Sequence, residues 1–110
     1  MSQRKKQIRQ DFRNAVFQRD GFACVTCNFQ SSPERAEDEL DAHHITDRNE
    51  IPHGGYVAEN GISLCAECHL KAEAFHCGDP VPPGFLPAEL YASIGSSEEE
   101  ARIASERLGG

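Results

Sequence analysis

The sequence predicts a small α+β domain: an N-terminal helix, two short strands, a helix directly after the second strand and a short helical tail, all stapled by a metal. Three observations predict it. Ile8, Phe12 and Val16 recur at four-residue spacing, the period of one helix face. Two runs, "LDAHHI" at 40–45 and "GISLC" at 61–65, have the length and composition of strands. Two Cys-x-x-Cys pairs, Cys24 with Cys27 and Cys65 with Cys68, lie on either side of a long insertion. A chain of 110 residues is one domain's worth and buries a modest core, so a staple would help it.

The first helix is expected from about residue 5 to 19, with Gly21 as its stop. Its Ile8, Phe12 and Val16 stripe reads as core, and its charged residues cover the outer face. "NFQSSPERAEDE" is polar and acidic, and Pro33 makes it a connector. The strands are joined by "TDRNEIPHGGYVAEN", whose Pro52, Gly54 and Gly55 call for turns rather than a helix. "AECHLKAEAFH" favours helix by composition. After Cys77 comes a proline-rich connection, then one or two short helices. Ser97 with Glu100 fits a capping box and Gly109 a helix end. This divides the chain into a body, 1–78, with its strand–strand–helix core at about 40–76, and an acidic tail, 79–110.

The formal net charge is −7, but it is unevenly spread. Residues 1–22 hold six Lys/Arg against two Asp, residues 23–76 three against ten acids, and residues 77–110 two against six. A basic arm leads an acidic body. Such an arm is either a solvated helix face or a phosphate-contacting element. No run of about 18 apolar residues and no basic-then-apolar export signal is present, so an unexported, cytoplasmic protein without a membrane span is expected.

In a reducing compartment five cysteines point to metal or redox chemistry rather than disulfides. Two knuckles supply four thiolates, enough to close a tetrahedral shell around a structural Zn²⁺. A thioredoxin-like redox pair is disfavoured, because two pairs occur and no βαβ pattern surrounds them. Cys77 is left over and reads as a buried small hydrophobe or an unremarkable thiol.

His43 and His44 are adjacent, so in a strand they point to opposite faces and each needs its own task. Asn60 and His69 follow in order on loop and helix. With these residues in view, "LDAHHI", "ENGISLC" and "CAECH" together resemble the HNH endonuclease family and its ββα-metal fold. "RDGFACVTC" resembles the subgroup stapled by a four-cysteine zinc. The resemblance covers about residues 12–76, and the tail falls outside it.

The resemblance implies a role for each matching residue. His44 matches the general base, and neutral imidazole suits that task near pH 7. His43 and His69 match the ligands of a catalytic divalent cation, which could be Mg²⁺, Mn²⁺, Ni²⁺ or Zn²⁺. Asn60 matches the residue that braces the interstrand loop and so orients the base. Glu73, one turn after His69, stands where some relatives carry a third ligand; it is either a direct or water-mediated metal contact or part of a solvated face. Asp41 could accept an imidazole N–H. Arg19 and Arg48, together with Lys5, Lys6 and Arg9, are the candidate DNA contacts. His53 and His76 fit no ligand spacing and read as surface or hydrogen-bonded histidines.

The expected function is therefore metal-dependent hydrolysis of phosphodiester bonds in DNA, expected to be double-stranded, leaving 5′-phosphate and 3′-hydroxyl ends. The alternative is the same zinc-stapled fold without catalysis, acting as an adaptor or nucleic-acid clamp. A zinc ribbon that only recognises protein would leave the His, Asn, His set unexplained. The acidity of the body weakens long-range attraction to DNA, which suggests guidance by a protein partner or a restricted substrate. The family resemblance also suggests a phage or mobile-element origin.

Overall fold

The computed structural model describes residues 2–108, with side chains from Arg4 onward. Helix α1 spans Ser2–Arg19, a turn earlier than the apolar stripe alone suggests. Phe12, Val16 and Phe17 are buried, whereas Ile8 is only half-buried. The helix stops where expected. Gly21 takes φ +67° and Phe22 φ +58°, and the Phe22 N–H donates back to the Phe17 carbonyl at 2.9 Å, a left-handed cap that glycine makes inexpensive.

The first cysteine pair follows in a tight turn. Cys24 N–H donates to Phe29 O and Asn28 N–H to Cys24 O, both at 2.8 Å. The connector holds one unexpected turn of helix, α2, Ala36–Glu39. It begins after Pro33, where the missing N–H costs nothing. Strands β1, Leu40–His44, and β2, Gly61–Cys65, pair antiparallel with Ala42 opposite Ser63, His43 opposite Ile62 and His44 opposite Gly61. Between them lie two 3₁₀ turns, Pro52–Gly55 and Ala58–Asn60. Helix α3, Ala66–Cys77, starts directly from β2 and ends at Gly78, φ +77°.

The tail forms two helices, α4, Pro87–Ser93, and α5, Glu98–Leu108. One half of the expected capping box is present: Ser97 Oγ accepts the Glu100 N–H at 3.1 Å. Gly109 lies outside the described residues. The tail is not an appendage. Phe85, Leu90, Tyr91 and Ala101 belong to the same buried cluster as Leu40, Ile45, Ile62 and Leu64, and each large apolar side chain so buried contributes roughly 1.5–3 kcal/mol. Cys77 is exposed, so of its two readings the buried hydrophobe is excluded: at the end of α3 it points away from the core.

Gly61 sets the spacing that matters for the site. A Cβ there would stand 2.5 Å from Val16 Cγ2 and 2.8 Å from Phe12 Cε1. Its absence lets α1 close directly onto the end of the sheet, opposite His44.

Candidate active site

Strand pleating does separate the adjacent histidines. His43 is 2% exposed and faces α3, where His69 and Glu73 wait one turn apart. Its Nδ1 lies 3.4 Å from Glu73 Oε1, and His69 Nε2 lies 3.3 Å from the same oxygen. The three ligand atoms fall within 4.8 Å of one another. His43 and Glu73 do not form an ion pair, because burial, then the neighbouring His69, His76 and His44, push the His43 pKa down to about 3 and leave the ring neutral. Its Nδ1 is buried and has no hydrogen-bond partner among the described residues. An orphaned imidazole nitrogen facing a carboxylate and a second imidazole is a donor set suited to a divalent cation, since ligand atoms about 2.1 Å from one centre in tetrahedral array stand about 3.4 Å apart.

Asp41 holds this set from behind. Its Oδ2 lies 3.0 Å from His69 Nδ1, so Nδ1 carries the proton and the Nε2 lone pair turns to the Glu73 side.

His44 faces the other way. Its ring stacks on Phe12 at 4.7 Å and meets the edge of Tyr56 at 4.7 Å. Burial, then the charge of Arg48, lowers its pKa to about 4, against an opposing pull from Asp47. It is neutral at physiological pH, and its buried Nε2 has no hydrogen-bond partner among the described residues. His76, half-buried, has Nε2 3.2 Å from the His44 carbonyl oxygen and donates to it. This is the hydrogen-bonded role expected of it, at a place that spacing did not indicate. His44 lines a cleft of about 360 Å³ with Arg9, Arg13, Arg48, Tyr56 and His69. A second cleft, of about 230 Å³, shares His44, Arg48 and Tyr56 and reaches Glu73 and His76.

Asn60 is fully buried and uses every hydrogen-bonding position of its amide. Oδ1 accepts from Thr46 N–H at 2.9 Å and from Tyr91 O–H at 2.7 Å. Nδ2 donates to Thr46 O at 3.1 Å and Gly55 O at 3.2 Å. Gly55, at φ +64°, must be glycine for this, as a Cβ would sit 2.5 Å from Nδ2. Asn60 thus ties the chain just after His44 to the turn before β2.

Of the candidate DNA contacts, Lys5, Lys6, Arg9 and Arg48 are exposed. Arg9 lies over the Tyr56 ring, 5.9 Å from its centroid. Tyr56 is buried enough to resist ionising, yet hydrogen bonds from Arg48 and Arg9 and their charges bring its pKa below the usual phenol value. A further cleft of about 300 Å³, lined by Arg4, Lys5, Ile8, Arg9, His53, Tyr56 and Leu108, continues this basic surface along α1. His53 is exposed there. Arg19, also exposed, is in addition tied to its own chain. Its guanidinium grips Asp20 at 2.7 and 2.8 Å and donates to the Ala58 and Gly61 carbonyls at 2.6 and 2.7 Å, because α1 ends against β2.

The four cysteines converge at the far end of the sheet. Their sulfurs lie within 4.8 Å of one another, and Cys27 Sγ is 3.7 Å from Cys65 Sγ. Zinc–sulfur bonds of about 2.3 Å in a tetrahedron require about 3.8 Å between sulfurs, so the cluster is consistent with zinc stapling. Cys24 is buried, which disfavours its thiolate, but hydrogen bonds from the Thr26 hydroxyl and the surrounding backbone outweigh that and bring its pKa to about 6. Burial, then hydrogen bonding and charge from the neighbouring cysteines, pushes Cys68 up to about 12.

Residues 24–75, from the first cysteine to the middle of α3, match the family model described as HNH endonuclease. This segment is similar to the HNH endonucleases. No curated protein and no solved structure matches the chain. The matched segment contains all four cysteines, both adjacent histidines, Asn60, His69 and Glu73, while α1, α4 and α5 lie outside it. Sequence reasoning missed Phe12 as the stacking partner of His44, Tyr56 as its edge and Tyr91 as a partner of Asn60. Phe12 was legible only as core, and Tyr91, 31 positions from Asn60, left no local signal.

Proposed function

We propose that this chain is a metal-dependent DNA endonuclease. The observation that carries the reading is the unpartnered Nδ1 of buried His43, set with His69 Nε2 against the Glu73 carboxylate, on the strand whose next residue is a neutral histidine in an open cleft. In this reading His43, His69 and Glu73 hold a divalent cation, and Cys24, Cys27, Cys65 and Cys68 hold a structural Zn²⁺. The catalytic cation, when bound, would polarise the scissile phosphate and relieve charge on the departing oxygen.

The chain's own residues supply the rest. His44 takes a proton from the attacking water as its oxygen bonds to phosphorus, and the 3′ oxygen departs, leaving 5′-phosphate and 3′-hydroxyl ends. Asp41 keeps the His69 lone pair aimed at the cation. Asn60 holds the backbone that carries His44. Arg9 and Arg48, flanking Tyr56 at the cleft mouth, receive the phosphates on either side, and Lys5 and Lys6 extend that track along α1. With a net charge of −7, attraction to duplex DNA is confined to this track, which favours a restricted substrate or a guiding protein partner. No helix among the described residues is long and apolar enough to cross a membrane.

Incubating the protein with supercoiled plasmid across Mg²⁺, Mn²⁺, Ni²⁺ and Zn²⁺, beside His44→Ala, tests the proposal. Nicked or linear product from the wild type alone supports it. DNA binding without cleavage under every ion would replace it with a catalytically silent binding module.

A further inference from the structure

We propose that the C-terminal helical pair is a built-in clamp on the 45–60 loop, with Tyr91 a positioning residue for His44 that acts through Asn60 and Thr46; the positioning role rests on the nuclease reading above. Tyr91 comes from α4, beyond the matched HNH segment, yet it is 3% exposed and sits against the fully buried Asn60. Its hydroxyl donates to Asn60 Oδ1 at 2.7 Å. With its one proton so used, it accepts from Thr46 Oγ1 at 2.6 Å.

Thr46 is two residues after His44 and is thereby held at three points: amide, carbonyl and hydroxyl. Ile45 N–H donates to the Asn60 carbonyl at 2.9 Å, so no residue between His44 and Thr46 is left loose. Phenylalanine would fill the same space. A phenol buried this deeply and doubly bonded points to its hydroxyl as the reason for tyrosine.

A second tie lies nearby. Ser96 Oγ, between α4 and α5, donates to the carbonyl of Glu59 at 2.9 Å, and α5 packs across both 3₁₀ turns of the loop. The loop is thus covered from outside by a segment distant in sequence. A base displaced by about 1 Å can lose roughly a hundredfold in rate, which is why such bracing matters.

The test uses the full-length protein carrying Tyr91→Phe or Thr46→Val, with Ser93→Ala as a surface control on α4. Amide hydrogen exchange at Ile45 and Thr46 is compared with that at Ile62 and Leu64, and kcat and KM are measured on duplex DNA. Exchange at Thr46 should accelerate roughly tenfold while the sheet is unchanged, and kcat should fall roughly tenfold with KM nearly constant. Equal acceleration at Thr46 and Leu64 would show that Tyr91 merely stabilises the fold. Unchanged exchange would overturn the clamp, and selective loosening with an unchanged kcat would overturn the positioning role. If Tyr91→Phe fails to fold, Thr46→Val carries the same two readouts. Should the wild type cleave no DNA, the nuclease reading and the positioning role fall together, and the exchange contrast decides the clamp by itself.

Discussion

The two clusters of metal-ligating side chains sit at opposite ends of the same two-stranded sheet and are built in opposite ways. At the Cys65 end, four sulfurs face one another, with Cys24 and Cys68 buried, so a cation there has its shell filled by protein. At the His43 end, three ligand atoms converge among the described residues, two of them on half-buried side chains beside a cleft, and in the proposed reading positions there remain for water and phosphate. Closure serves stability and openness serves chemistry. Antiparallel pairing supplies both: β1 carries the histidines where β2 begins, and β2 delivers Cys65 where β1 begins.

The contrast is easiest to break at the closed end. Cys24→Ser removes a buried ligand, and since structural zinc can contribute on the order of 10 kcal/mol of folding free energy, the variant should lose its metal and unfold or aggregate. Metal analysis and circular dichroism check this. A stable, metal-free fold would mean the sulfurs are not a staple.

At the open end the fold should survive while function fails. His44→Ala should retain the structural zinc and the second cation, yet cleave roughly a hundredfold or more slowly, as expected for a lost general base. His43→Ala should instead bind the second cation more weakly. Loss of an outer-sphere partner alone costs roughly 10- to 100-fold in affinity, so loss of a ligand should cost no less, and added metal should recover part of the activity. Calorimetric titration with Ni²⁺ separates the two; if His44→Ala loses the ion and His43→Ala keeps it, the roles are exchanged.

Asp41→Asn sharpens the picture further. The amide can no longer hold the His69 Nδ1 proton with a charge, so affinity should drop roughly tenfold with the ligands intact. Unchanged Ni²⁺ affinity would reduce the Asp41 contact to surface chemistry. The smallest effect is expected on the basic arm. Charge reversal at Lys5, Lys6 and Arg9 should weaken DNA binding and flatten its salt dependence, the slope falling by about one for every phosphate the arm no longer neutralises. A slope that stays the same would return the arm to a solvated helix face.

Much of this molecule was legible in its sequence, and the reason is spacing. Cysteines within a Cys-x-x-Cys turn, or side chains one helical turn apart like His69 and Glu73, are placed by local geometry that any such backbone repeats. The period of two along β1 likewise sent His43 and His44 to different faces without help from the rest of the chain. Gly21 and Ser97 marked helix ends for the same local reason. Tertiary structure alone decided the partners. Arg19 read as a surface cation, but its ties came only where the end of α1 met carbonyls 39 and 42 positions away. Phe12 looked like core until Gly61 let it reach the His44 ring. Tyr91, in a tail that carried no recognisable chemistry, closes the hydrogen-bond network around Asn60. Meetings of this kind depend on which surfaces the packed core brings together, and no period or motif along the chain encodes an encounter between residues so far apart.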